Sequence, residues 1–188
     1  PRFRRFLEEL PDSPLSHVTL GMTTNGSYLT EPMLDALGKL PGCSLIISLN
    51  AATASTYEEV NRGLPFGRIQ RVLASLRERR AAGTFVGSLR YSMVLLKANL
   101  HEVEAFAAMC RADGVGYRFM LPQLNRNDQS IMLDRALMED ALERLTAVLA
   151  EDRATFGETG WFRLVEGERQ VLMARLASRI TTALPDRP

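Results

Sequence analysis

The sequence predicts an α/β fold: part of a TIM-like β/α barrel with parallel strands, truncated at its N-terminal side. Two observations predict the strands. Four apolar runs stop abruptly in polar residues: Val18–Thr23 into Thr24-Asn25-Gly26, Ser44–Ile47 into Ser48-Leu49-Asn50, Leu89–Leu96 into Lys97-Ala98-Asn99, and Tyr117–Leu121 into Pro122-Gln123. A helix-like segment follows each run. Parallel strands of an α/β barrel read this way, buried on both faces with ligand-facing polar groups only at their C-terminal ends. A third observation predicts the truncation. The chain opens on a helix pattern with no strand before it, and four or five strands are too few to close an eight-stranded barrel. The expectation is that at least one β/α unit lies upstream of Pro1.

The elements follow in order. Pro1 to Leu10 is an amphipathic helix pattern with Phe3, Phe6, Leu7 and Leu10 on one face, ended by Pro11-Asp12-Ser13-Pro14. After the first strand, Thr30 stands as the cap of a helix with Pro32 in its first turn and Met33, Leu34, Leu37 and Leu40 inward. Pro41-Gly42 closes that helix before the second strand. Thr53 to Val60 is a short helix ending in Asn61-Arg62-Gly63. The next helix turns Phe66, Ile69, Val72, Leu73 and Leu76 inward and five arginines outward: Arg68, Arg71, Arg77, Arg79 and Arg80. No aromatics interleave with these arginines, so they read as the solvated face of an outer helix rather than a nucleic-acid patch. The third strand, a helix from Leu100 to Ala112 and the fourth strand complete the regular part.

Beyond Pro122 the alternation stops. Leu124 to Ile131 reads as a polar loop. Asp134 caps a long helix with Leu137, Ala141, Leu142, Leu145, Val148 and Leu149 as its stripe. Trp161 to Val165 is expected as a short strand and Gly167 to Leu184 as a last helix. The domain reading is a β/α part over residues 1–125 and a helical extension over 126–188.

Composition narrows the class. The 188 residues suffice for a sizeable core. A formal net charge of +1 gives no strong field toward nucleic acid or membrane. No apolar run approaches the ~18–20 residues of a membrane span, and no signal peptide is visible. The cysteines, Cys43 and Cys110, lie far apart and outside any metal-binding spacing, so both read as buried free thiols. Low cysteine use points to a reducing, cytoplasmic setting. No phosphate-binding glycine loop occurs. His17 lies before a strand, and His101 starts a helix. No nucleophile–histidine set can be assembled, so no catalytic residue and no metal ligand is assigned.

The strand ends remain. Thr24, Asn25 and Gly26 offer a hydroxyl, an amide and φ freedom. Ser48 and Asn50 alternate with Leu49 and so share a side. Arg62 follows Ser48 closely enough to return to the same end, where its planar fork would meet a carboxylate. Asn99 follows the third strand, and the backbone of Met120 and Leu121 at the fourth suits a flat heterocycle edge. Asn, Ser and Thr are equally suited to these positions as local caps of βα turns.

Thr23-Thr24-Asn25-Gly26, Ile47-Ser48-Leu49-Asn50-Ala51-Ala52-Thr53, Thr56-Tyr57-Glu58-Glu59-Val60-Asn61-Arg62-Gly63 and Lys97-Ala98-Asn99-Leu100-His101-Glu102-Val103 with Phe106 together resemble the middle of a radical S-adenosylmethionine (SAM) enzyme. The resemblance runs from about Pro1 to Asn125. The nearest likeness is to the branch with an extra C-terminal cluster domain, many of whose members modify peptides. It implies a partial (β/α)6 barrel. It also implies a [4Fe-4S] cluster and an amine-binding motif in sequence before Pro1. Ser48 and Arg62 would then contact the SAM carboxylate, and Asn50 would take a ribose-side position where the family usually has Asp. Asn99 would face ribose or substrate, Met120 and Leu121 would flank adenine, and Thr24 and Asn25 would line the floor.

The departure is the cluster. It needs three closely spaced thiolates, which Cys43 and Cys110 do not supply. The chain reads as the SAM-holding fragment of a radical enzyme, inactive by itself, whose parent holds the cluster and acts on a substrate such as a peptide. The alternative is a non-catalytic, degenerate barrel that binds SAM or a partner. An unrelated barrel lyase would need acid–base groups at the strand ends, where Asn and Ser stand instead. Truncation would leave a parallel edge at Val18–Thr23, so self-association through that edge is expected.

Overall fold

The computed structural model describes residues 2–14, 17–40, 42–122 and 128–178. The expected domain boundary near residue 125, most of the polar loop after Pro122, and the end of the last helix lie outside these residues. The helices are α1 (Arg2–Glu9), α2 (Glu31–Gly38), α3 (Ala54–Val60), α4 (Phe66–Ala81), α5 (Val103–Ala112), α6 (Arg135–Phe156) and α7 (Gly160–Ala177). The strands are β1 (Leu20–Thr24), β2 (Cys43–Ser48), β3 (Ser88–Val94) and β4 (Gly116–Met120), in one sheet of order β1-β2-β3-β4. The strands are parallel, and helices carry the chain from each to the next, as parallel crossovers require.

The chain divides into two compact units. One comprises residues 1–93 with 105–118, the other 94–104 with 119–188.

In the first unit one sheet face is closed. Cys43, Leu45, Ile47 and Leu49 are buried and alternate with half-buried Ser44, Ile46, Ser48 and Asn50. Leu89, Tyr91 and Tyr117 continue the buried set on β3 and β4. Buried positions on α2 (Met33, Leu34, Ala36, Leu37) and α4 (Ile69, Val72, Leu73, Leu76) repeat at helical spacing. Strands buried on both faces were the expectation. Instead β2 is closed on one face only, and β1 has no buried residue because it is an edge strand paired with β2 alone.

The arginines of α4 act as struts. Arg79 pairs with Glu31 at 2.9 Å and Asp35 at 2.6 Å on α2. Arg77 grips Asp113, which also accepts a 3.0 Å bond from Tyr91 Oη. Burial, then the Asp113 carboxylate, raises the Tyr91 phenol far above its ordinary range. Arg80 donates to the Gly114 carbonyl. Gly87 lies so close to β2 that an added Cβ would stand 2.6 Å from the Cys43 carbonyl oxygen.

Two helix expectations change in detail. Thr30 occupies the N-cap position of α2, but its buried Oγ1 makes no hydrogen bond. On α1, Leu7 and neighbouring Leu10 are buried, whereas Phe3 and Phe6 remain 53% and 44% exposed and stack on each other. The apolar stripe of α1 is wider than the surface that covers it.

In the second unit α6 and α7 pack as a helical hairpin. Asp134 caps α6 as expected, its Oδ1 accepting from the amides of Ala136 and Leu137. Gly157, at φ +70°, ends α6. Trp161–Val165 is not a strand. Thr159 accepts from the Phe162 amide and starts α7 there, and Phe162, Val165 and Leu172 are its buried stripe. No described helix is long and apolar enough to cross a membrane.

Candidate functional site

The strand ends of the first unit differ in how much of their chemistry is free. Thr24 aligns with Ile47 and so belongs to the row on the helix-covered side. Its Oγ1 accepts from the Gly26 amide at 3.1 Å. Asn25 Oδ1 accepts from the Ser27 amide and hydroxyl at 3.0 and 2.8 Å. These are local turn bonds of the kind short polar side chains make. Gly26 is required by both conformation and space: φ is +75°, and a Cβ would lie 2.5 Å from Ile69 Cδ1.

At the end of β2, Ser48 and Asn50 flank fully buried Leu49 and share the half-open side. The amides of Leu49 and Asn50 both donate to the Ser92 carbonyl, at 3.0 and 3.2 Å. That bifurcation turns the chain out of the sheet. Asn50 takes the left-handed conformation at φ +63°, which Asn tolerates better than most residues.

The connection then folds back. Asn61, at the end of α3, donates through Nδ2 to the Leu49 and Tyr57 carbonyls. Its Oδ1 accepts from Asn50 Nδ2. Arg62 follows directly in the Asn61–Gly63 turn. It is exposed and makes no ion pair among the described residues. Tyr57 lies buried under this connection, its ring tilted against Phe66 at 5.2 Å, and burial raises its phenol pKa.

In the second unit Asn99 is fully buried. Its Oδ1 accepts from the Leu96 amide at 2.8 Å, and its Nδ2 donates to the Val94 carbonyl at 2.9 Å. These bonds brace the turn after β3, which stops at Val94 rather than Leu96; Leu96 instead bridges antiparallel to Ser130. The Met120 carbonyl accepts from the Leu95 amide, and Met120 and Leu121 are half-buried. His101 lies in the turn leading to α5, with its side chain 64% exposed.

Several residues of this region are not evident from sequence patterning. Asn61 acts through partners that chain spacing does not reveal. Arg90 and Arg118 sit inside the apolar runs of β3 and β4. Arg118 alternates with buried Tyr117 and Phe119, and Arg90 with buried Leu89 and Tyr91. Both are half-buried and neither has an ion pair among the described residues. On the same face, Ser48 pairs with buried Ser92, Ser44 with Ser88, and Arg90 with Ile46, which is also level with Thr23. The one signal in sequence is a basic residue interrupting a run that otherwise has the composition of a buried strand.

Cys43 and Cys110 are buried free thiols, and burial raises the Cys43 pKa. Among the described residues, no three His, Cys, Asp or Glu side chains are grouped to hold a metal ion. The chain matches no family model, no curated protein and no solved structure.

Proposed function

We propose that this chain is the SAM-holding part of a radical SAM enzyme, a partial (β/α)6 barrel whose parent acts on a substrate such as a peptide. The supporting observation is the fold-back held by Asn61, which anchors the Arg62 turn to the backbone at Leu49, next to Ser48 and Asn50. A serine hydroxyl ends β2, and the connection that follows carries a guanidinium with no ion pair among the described residues. Their chemistry suits the carboxylate of an amino acid. Asn50 stands beside them at the end of β2, its Nδ2 on Asn61 Oδ1.

The proposal rests on the first unit alone. When bound and reduced by a cluster, SAM supplies hydrogen-abstracting chemistry. The residues described here suit SAM and not the [4Fe-4S] cluster, for which they offer no thiolate set; no step is derived through it. Arg62 and Ser48 bind and orient the carboxylate end, and the left-handed turn at Asn50 places the amide.

A second reading is a scaffold that binds SAM or a partner without redox chemistry. It is favoured by Thr24 and Asn25, whose polar atoms bond their own turn. The deciding experiment uses the natural full-length gene product purified without oxygen. Iron and sulfide are counted, then release of 5′-deoxyadenosine from SAM under reduction is assayed. Cluster and product together support the enzyme. Absence of both overturns it and leaves the scaffold.

A further inference from the structure

We propose that the half-open sheet face of the first unit binds an oxyanion, the carboxylate or phosphate group of a small acidic ligand, on Arg90 and Arg118. The four strands contain no Asp or Glu, and their only charged residues are these two arginines. They stand on neighbouring strands and on the face opposite the buried rows of Leu89, Tyr91 and Tyr117. On the same face half-buried Ser48 stands level with buried Ser92, and neither carries a charge.

Four half-buried arginines elsewhere in the chain are held in ion pairs. Arg77, Arg79, Arg144 and Arg169 each meet a carboxylate within 3 Å. Arg118 does not: its Nε is shut from solvent without an acceptor. A guanidinium removed from water without a counter-charge is destabilising. One such group, with a second half-buried arginine on the neighbouring strand and no carboxylate on any of the four strands, is the arrangement an external anion completes, with the planar forks presenting parallel N–H donors. The inference does not depend on SAM chemistry and is tested without it.

The test titrates the 188-residue chain with sodium pyrophosphate and, separately, sodium glutarate, each against sodium chloride at matched ionic strength. The readouts are the thermal midpoint and the arginine Nε–H resonances of isotope-labelled protein. One anion should raise the midpoint beyond the chloride control and move two of these resonances, one missing from the R90Q spectrum and the other from the R118Q spectrum. The more effective anion names the group as phosphate or carboxylate. R71Q, at an exposed unpaired arginine of α4, should keep the response. R118M should lose it while raising the anion-free midpoint by about 2–4 °C, the shift of a relieved unpaired charge in a chain this size. A response no larger than chloride's overturns the proposal, as does one retained in both R90Q and R118Q. A lowered anion-free midpoint in R118M also overturns it, since Arg118 would then be part of the scaffold.

Discussion

Asn50 Nδ2 donates to Asn61 Oδ1 at 3.3 Å, joining the residue that leaves β2 to the residue that ends α3. Asn61 completes the link with bonds to the Leu49 and Tyr57 carbonyls at 3.2 and 3.1 Å. One side chain thus fixes both ends of the connection that carries Arg62. Asn61→Ala should therefore lower stability by about 1–3 kcal/mol, the cost of unpaired, partly buried polar groups. Urea unfolding checks this, and an unchanged midpoint would mean the connection is held by Tyr57 packing alone.

Arg62 should behave in the opposite way. It is exposed and makes no ion pair among the described residues, so Arg62→Ala should change stability by no more than about 0.5 kcal/mol. In the intact protein the same change should weaken SAM binding about tenfold or more, the scale of one lost charge-assisted hydrogen bond. Calorimetric titration of SAM into both proteins separates the effects. Equal affinity would remove Arg62 from the site.

Acid should weaken α7 through the Glu166 carboxylate. Arg169 donates two 2.7 Å bonds to Glu166 and holds its carboxyl at about 2, below the ordinary 4.5. The folded value lies below the unfolded one, so folding releases protons. The contribution is present in full above about pH 4.5 and is lost as pH falls toward 2. Glu166→Gln should cost about 1 kcal/mol at neutral pH, allowing for solvent around the pair. The gap from wild type should close near pH 2 in an acid-unfolding series. A gap independent of pH would assign the loss to something other than this charge.

Among the described residues β1 is an edge strand, with no strand paired on the side away from β2. We expect concentration-dependent self-association of the chain through that edge. Sedimentation across a wide concentration range tests it. A lysine placed at exposed Thr23 should weaken the association. A monomer at every concentration would refute it.

Fold class was legible where periodicity and caps agreed. The alternation of β2, the apolar spacing of α4 and the Asp134 cap each point to one structure. Trp161–Val165 misleads because aromatic and β-branched residues have strand-like composition, while the Thr159 cap decides for a helix. Phe3 and Phe6 mislead because an apolar stripe does not say how far its cover extends. At the site, Ser48 and Asn50 are legible because alternation around Leu49 needs only local geometry. Asn61 is not, because its partners depend on how the connection folds back. Asn99 has the composition of a ligand contact, yet its amide bonds its own turn. Arg90 and Arg118 were hidden by the apolar runs around them.

The distribution of two rare side chains gives each unit its own native reporter. Both thiols, Cys43 and Cys110, are buried in the first unit, and the sole indole, Trp161, sits edge-on to Phe156 in the second. Alkylation rate therefore times the opening of one unit, while intrinsic fluorescence follows the other, without any engineered label. If the two signals change together along a denaturant series, the chain melts as one cooperative body. If they separate, the order in which the units open can be read directly from the wild-type protein.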